Sequence, residues 1–193
     1  MSAPIVVWRF LDGKAGHERQ TAGLLKALAP LLTINSFEID VRRLRRPFLA
    51  YLRRLWPVVG LPPPALLIGA GRACQWPMLA AQRARGGRTV YCMKPTLPSR
   101  WFDWCLIPQH DGAVRSANIE PTVGVLNDLE QAGTASPPAT LVLIGGPSRH
   151  HVWDEDVVLK QIGSVVFGRR DEALVISDTR RTPASTSAKL QGF

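Results

Sequence analysis

Cysteine is scarce in this chain, acid is outnumbered, and nothing resembles a bilayer span. Three cysteines, Cys74, Cys92 and Cys105, occur among 193 residues. An odd number without paired C-x-x-C spacing argues against a disulfide framework and against a zinc site, so no metal is expected. The three read as small core residues of a reduced, cytoplasmic protein. No apolar run approaches the ~20 residues of a membrane span, and the N-terminus lacks the basic and small-residue flanks of a signal peptide. The expectation is a soluble protein or one peripheral on the inner membrane. Missing too are the third glycine of the dinucleotide fingerprint and the Gly-Lys-Ser/Thr of the Walker loop, and no cofactor is expected.

Acidic residues number 15 against 24 Lys and Arg, a formal net charge of +9. The imbalance is local. Residues 1–130 hold 17 basic against 9 acidic residues, while residues 131–193 hold 7 against 6. The first part of the chain therefore faces something anionic.

What the chain does have is a repeated pattern of short apolar runs that each end in a polar or glycine-containing loop. Ile5–Phe10 leads into DGKAGHERQ, Leu66–Ile68 into Gly69-Ala70-Gly71-Arg72, Thr89–Met93 into Lys94-Pro95-Thr96, and Trp104–Ile107 into Pro108-Gln109-His110-Asp111. Later Leu141–Ile144 leads into GGPSRHH and Ala173–Ile176 into SDTRRTP. Runs of this kind with helical stretches between them are buried strands of a parallel sheet, and all their loops then share the carboxyl edge, where open α/β folds bind ligands. The expected fold is α/β: a Rossmann-like parallel sheet domain over residues 1–131, a linker rich in Gly, Ser and Pro over 132–139, and the start of a second Rossmann-like lobe over 140–193.

The first loop, Asp12 to Gln20, suits an anion. Gly13 and Gly16 let backbone approach a ligand, and a helix starting near His17 or Glu18 would aim its free N–H groups and positive end at the same place. Taken singly, such a loop serves equally well to turn the chain and cap a helix.

The stretch VRRLRRPFLAYLRRLW is the most basic part of the chain. On a helix, Leu44, Phe48, Tyr51, Leu52, Leu55 and Trp56 would share one face, and Arg42, Arg43, Arg45, Arg46, Arg53 and Arg54 would lie elsewhere. This is the pattern of an interfacial helix, with Arg45, Arg46, Arg53 and Arg54 on anionic headgroups and Phe48 and Trp56 in the lipid boundary. A helix packed on the sheet with a solvated arginine face has the same pattern. Nucleic acid is disfavoured, because interleaved bulky aliphatics track phosphates poorly.

Several motifs in order make a stronger statement than any one. With DGKAGHERQ, PALLIGAGR from Pro64, PQHD from Pro108, NIEPTVGVLN from Asn118, LIGGPSRH from Leu143 and TRRTP from Thr179, the chain resembles the mitochondrial fission protein ELM family. The lobes of that family are similar to those of GT-B glycosyltransferases. The resemblance implies a nucleotide-sugar donor and an envelope lipid or saccharide acceptor at the cytosolic membrane face, with a base on the acceptor hydroxyl and positive groups on the departing diphosphate. It also implies that the chain stops short of a complete second lobe, so that activity is reduced or lost.

On this resemblance His17 is one candidate base, and His110 beside Asp111 is the other. Asp12 and Glu18 are loop and cap residues that contact an acceptor hydroxyl. Gly71 and Arg72 add to the first-lobe site. Gly145, Gly146, Ser148 and Arg149 form a phosphate cradle, and Arg180 and Arg181 clamp a diphosphate. A second class stays open: a non-catalytic, membrane-associated scaffold, which fits the division role of the plant members.

Overall fold

β1 (Ile5–Leu11) is almost wholly Ile, Val, Trp, Phe and Leu, and it lies inside the sheet, with β2 (Ile34–Asp40) on one side and β3 (Leu66–Gly69) on the other. β4 (Arg88–Cys92), β5 (Trp104–Pro108) and β6 (Ile119–Thr122) extend the sheet, all parallel, in the order β2-β1-β3-β4-β5-β6. This is the computed structural model of the chain; it describes residues 3–130, 139–148, 152–168 and 173–192. The chain divides into two units, Met1–Glu130 and Gln131–Phe193. The fold of the first unit is the Rossmann-like class that the alternating apolar runs predict.

Both sheet faces are covered, as they must be when helices connect parallel strands. Val7, Ile68, Val90 and Cys92 form one buried face with Leu24 and Leu25 of helix α1 (Ala15–Leu28). Trp8, Phe10, Leu67, Tyr91 and Cys105 form the other with Cys74 and Met78 of α3 (Arg72–Arg85). Each large apolar side chain buried in this way contributes about 1.5–3 kcal/mol. All three cysteines are buried and unpaired, and burial pushes the thiols of Cys74 and Cys92 up to about 12 and that of Cys105 to about 11.

Two strands lie outside the apolar runs read from the sequence. β2 (INSFEID) and β6 (IEPT) are the sheet edges, and an edge strand needs no continuous apolar run. Beyond β6 the chain runs back across α1. There Lys26 Nζ donates to the Asp128 carbonyl at 3.0 Å, and a Cβ built on Gly23 would lie 2.1 Å from the Asn127 carbonyl oxygen.

The basic segment is not one long helix. It comprises a 3-10 turn (Val41–Arg43) and a seven-residue helix α2 (Pro47–Arg53) whose flanking residues, Arg46 and Arg54, are left-handed, with φ of 49° and 54°. Pro47 starts α2, and its ring bars the residue before it from continuing a helix. The expected apolar stripe is therefore divided. Leu44, Tyr51 and Trp56 turn inward onto the core, with Trp56 stacked on Trp8 at 5.7 Å between ring centroids, while Leu52 and Leu55 stay exposed. Phe48 is partly exposed and meets Trp76 edge-on at 4.7 Å.

The second unit pairs β7 (Ala139–Leu143) with β8 (Ala173–Ser177) in parallel and adds α4 (Glu155–Gly168) and α5 (Ala184–Leu190). Glu155 accepts hydrogen bonds from Lys189, Thr186 and Ser185, and these hold its carboxyl down at about 2, the Lys189 bond foremost. The linker expected over 132–139 lies outside the described residues except for Ala139.

Candidate functional site

The chain leaves β1 for β2 on one side of the sheet and returns to β3 on the other. That reversal makes the carboxyl ends of β1 and β3 the switch point of the sheet, the position at which open α/β sheets bind ligands. Two loops frame it: the Asp12–Lys14 turn after β1 and the Ala70–Gly71 turn after β3.

Asp12 is the centre of this site. Its side chain is only 2% exposed, and its Oδ2 lies 2.8 Å from Nδ1 of His17 in the first turn of α1. Its Oδ1 accepts the Lys14 N–H at 3.1 Å. An ionised carboxylate can only accept, so Nδ1 is the donor in this pair, and in the neutral imidazole Nε2 is then the lone-pair nitrogen. Nε2 has no protein partner among the described residues, and the His17 side chain is 21% exposed. Here an acid five residues earlier sets the tautomer and aim of an imidazole, the arrangement that general bases use.

Gly71 closes over the pair. Its φ is +86°, and a Cβ there would lie 2.2 Å from His17 Nδ1 and 2.6 Å from Asp12 Oδ2. Only glycine satisfies both the backbone and the space. Its N–H points to Met93 Sδ at 3.0 Å. On the other flank Glu18 Oε1 accepts the Gly13 N–H at 2.9 Å, which ties the loop to the helix. Gly16 has open space around it, and the N–H groups of Ala15 and Gly16 meet no acceptor among the described residues. Those donors sit at the positive end of a fourteen-residue helix.

Arg42 belongs to this site and not to the surface stripe that the arginine pattern predicts. It follows the carboxyl end of β2, and a Cβ on Gly13 would come within 2.5 Å of its Nη1. Asp40 anchors it through Nε and Nη2 at 2.8 and 2.9 Å, and the Arg42 hydrogen bond is the main reason that the Asp40 carboxyl falls to about 2. The run of arginines around it drew attention to a surface; only the adjacency of β2 and β1 shows that this one lies over the first loop.

His110 and Asp111 do not form a comparable pair. They occupy a 3-10 turn after β5, their nearest charged atoms are 3.9 Å apart, and both side chains are well exposed. That separation is no hydrogen bond. Arg72 starts α3 beside Gly71 and, with Gln75, Trp76, Thr96 and Leu97, lines a cavity of about 260 Å³. Gln75 is buried and rigid: it donates to Tyr91 Oη at 2.8 Å and accepts from Thr96 Oγ1 and the Leu97 N–H at 3.1 and 2.9 Å.

In the second unit the loops after β7 and β8 lie against each other. A Cβ on Gly146 would be 1.9 Å from the Arg181 carbonyl oxygen, and Thr182 Oγ1 donates to the Gly145 carbonyl at 2.6 Å. Arg180 and Arg181 are exposed there, with no ion pair among the described residues. Ser148 is half-buried near the end of the first loop, and Arg149 lies outside the described residues.

Sheet order and covered faces define a Rossmann-like α/β protein, and a histidine aimed by a buried aspartate marks the switch point of its first sheet as the candidate site. The chain belongs to the family described as Mitochondrial fission ELM1, whose model matches residues 15–193. That match takes in His17, Gly71, Gly145 and Arg181, and it begins just after Asp12–Lys14. No curated protein and no solved structure matches the chain. Among the described residues no helix is long and apolar enough to cross a membrane.

Proposed function

We propose that the chain is a GT-B-like glycosyl-transfer protein that acts on an envelope lipid or saccharide acceptor at an anionic membrane surface, with His17 as the base. The observation that carries this reading is the buried Asp12 carboxylate holding His17 Nδ1 at 2.8 Å, at the switch point of the sheet. His17 Nε2 takes the proton of an acceptor hydroxyl as its oxygen attacks the anomeric carbon of a nucleotide sugar. The nucleoside diphosphate then leaves with the bonding electron pair. Asp12 stabilises the imidazolium that results.

The open N–H groups of Ala15 and Gly16 and the guanidinium of Arg42 give the first loop its anion affinity, suited to a phosphate on the acceptor. In the second unit Gly145, Gly146, Ser148, Arg180 and Arg181 have the chemistry of donor-diphosphate groups, a role that the resemblance extends to Arg149. Among the described residues His110 has no carboxylate within hydrogen-bond distance to orient its ring, so the geometry favours His17 for this role.

The test is turnover of labelled uridine, guanosine, adenosine and cytidine diphosphate sugars by the full chain, with an envelope lipid extract as acceptor. One donor is expected to pass label into the extract. His17→Ala and Asp12→Asn should slow that transfer by about 10²–10⁴-fold, the usual share of a positioned base. Transfer that is undiminished in both variants refutes the assignment of the base. If no donor is turned over and calorimetry finds no binding of any of the four diphosphates, the non-catalytic scaffold is the better account.

A further inference from the structure

Five of the arginines in the first unit have a carboxylate within reach: Arg9 with Glu38, Arg42 and Arg43 with Asp40, Arg88 with Asp103, and Arg115 with Glu120. Arg45, Arg46, Arg53 and Arg54 have none among the described residues, and all four are exposed. They surround α2, and two of them sit in left-handed backbone at its ends. Glycine would adopt that backbone without steric cost, so the arginine side chains stand there against local preference.

Between them lies an apolar trough. Leu49, Ala50, Leu55, Trp56 and Pro57, with Arg45, Arg46 and Arg53 at the rim, line an open cavity of about 400 Å³. No acidic side chain takes part in the lining. Trp56 forms its rigid end, because the indole is stacked on Trp8 and meets Phe10 edge-on at 5.8 Å between ring centroids. A hydrocarbon bed inside a collar of unpaired guanidiniums matches one molecule with an acyl chain and a phosphate. An acidic peptide or a nucleic acid would satisfy the collar and leave the leucines uncovered.

We propose that this trough seats one acyl chain of an anionic phospholipid while Arg45, Arg46 and Arg53 hold its headgroup phosphate. The proposal rests on the membrane part of the function proposed above and not on its transfer chemistry. It changes the role of the basic segment: the lipid enters a preformed trough, and Trp56 is a wall of that trough held in the core.

The full chain is to be sedimented with vesicles of phosphatidylcholine alone or mixed with phosphatidylglycerol, and its tryptophan fluorescence read with acyl-brominated phosphatidylglycerol. Binding is expected only with the anionic lipid, about fivefold weaker for each of Arg45→Gln and Arg53→Gln. Quenching by the brominated chains should largely vanish in Trp56→Phe. Leu49→Ser with Leu55→Ser should weaken binding as much as the loss of one arginine. Arg46→Gly removes a charge and relieves its backbone, so it should unfold no earlier than the parent and still bind about fivefold less. Vesicle binding that depends on the arginines but not on Leu49 and Leu55, or quenching unchanged in Trp56→Phe, overturns the trough. Quenching that persists in a chain without transfer activity supports the trough and defeats the transfer reading separately.

Discussion

Replacing Gly71 by alanine inserts a methyl carbon where the structure has none to spare, 2.2 Å from His17 Nδ1 and 2.6 Å from Asp12 Oδ2, at a φ of +86°. The left-handed backbone alone costs an alanine roughly 1–2 kcal/mol. Pushing the imidazole off the buried carboxylate removes a charge-assisted hydrogen bond worth about 1.5–3 kcal/mol. The stiffer unfolded chain returns about 0.4–1 kcal/mol. The net loss is about 2–4 kcal/mol, and at roughly 2–4 °C per kcal/mol for a chain of this size the melting midpoint should fall by roughly 5–15 °C. Gly16→Ala, four residues after Asp12, is the control: nothing lies within 4 Å of its Cβ, and alanine inside a helix should gain up to about 1 kcal/mol. Thermal unfolding followed by circular dichroism reads both. In a His17→Ala background the Gly71→Ala penalty should shrink towards the backbone share of about 1–2 kcal/mol. Equal penalties in the two backgrounds, or similar midpoints for Gly71→Ala and Gly16→Ala, would refute the claim that Gly71 is reserved for the Asp12–His17 pair.

Two further outcomes follow from the packing of the first unit. Gly23→Ala should destabilise it despite the better helix former, because the new Cβ meets the Asn127 carbonyl oxygen at 2.1 Å and must displace the segment crossing α1; hydrogen exchange should rise around residues 125–130. Asp103 accepts from the Thr89 N–H and Oγ1, Gln82 Nε2 and Arg88 Nη1 at 2.6–3.0 Å, and although burial alone would raise its carboxyl, the Thr89 and Arg88 donors, led by the Thr89 N–H, leave it below its ordinary value. Its contribution is therefore complete above about pH 4 and fades as pH falls through the lowered value, so the stability gap between the parent and Asp103→Asn, measured by denaturant unfolding, should narrow from pH 7 towards pH 3. A gap that widened in acid would reverse the sign of the argument.

Much of this protein is legible along the chain. Apolar runs such as Ile5–Phe10 and Leu66–Ile68 mark the interior strands, because a strand buried on both faces needs apolar side chains at nearly every position. The same runs place their loops on one edge, since parallel strands all end there. The edge strands β2 and β6 are less legible, because a strand at the margin of the sheet is only partly covered and tolerates polar residues such as Asn35, Ser36 and Glu120. In the basic segment composition is legible and shape is not: periodicity alone extends a helix from Leu44 to Trp56, and Pro47 with left-handed Arg46 and Arg54 confines it to seven residues.

The candidate site divides in the same way. Glycine turns, helix starts and the histidines themselves are local features, set by backbone sterics and by the period of the pattern, and the sequence alone determines them. Which carboxylate serves which histidine is a matter of three-dimensional approach. His110 and Asp111 are neighbours in the chain and stay 3.9 Å apart at the surface, while Asp12 reaches from its loop to His17 in the first turn of α1 and is covered by Gly71 arriving from β3. Arg42 reaches the first loop only because β2 pairs with β1. Strand order is settled by burial summed over the whole sheet, and no local pattern encodes it; that is why contacts between distant residues had to come from the fold.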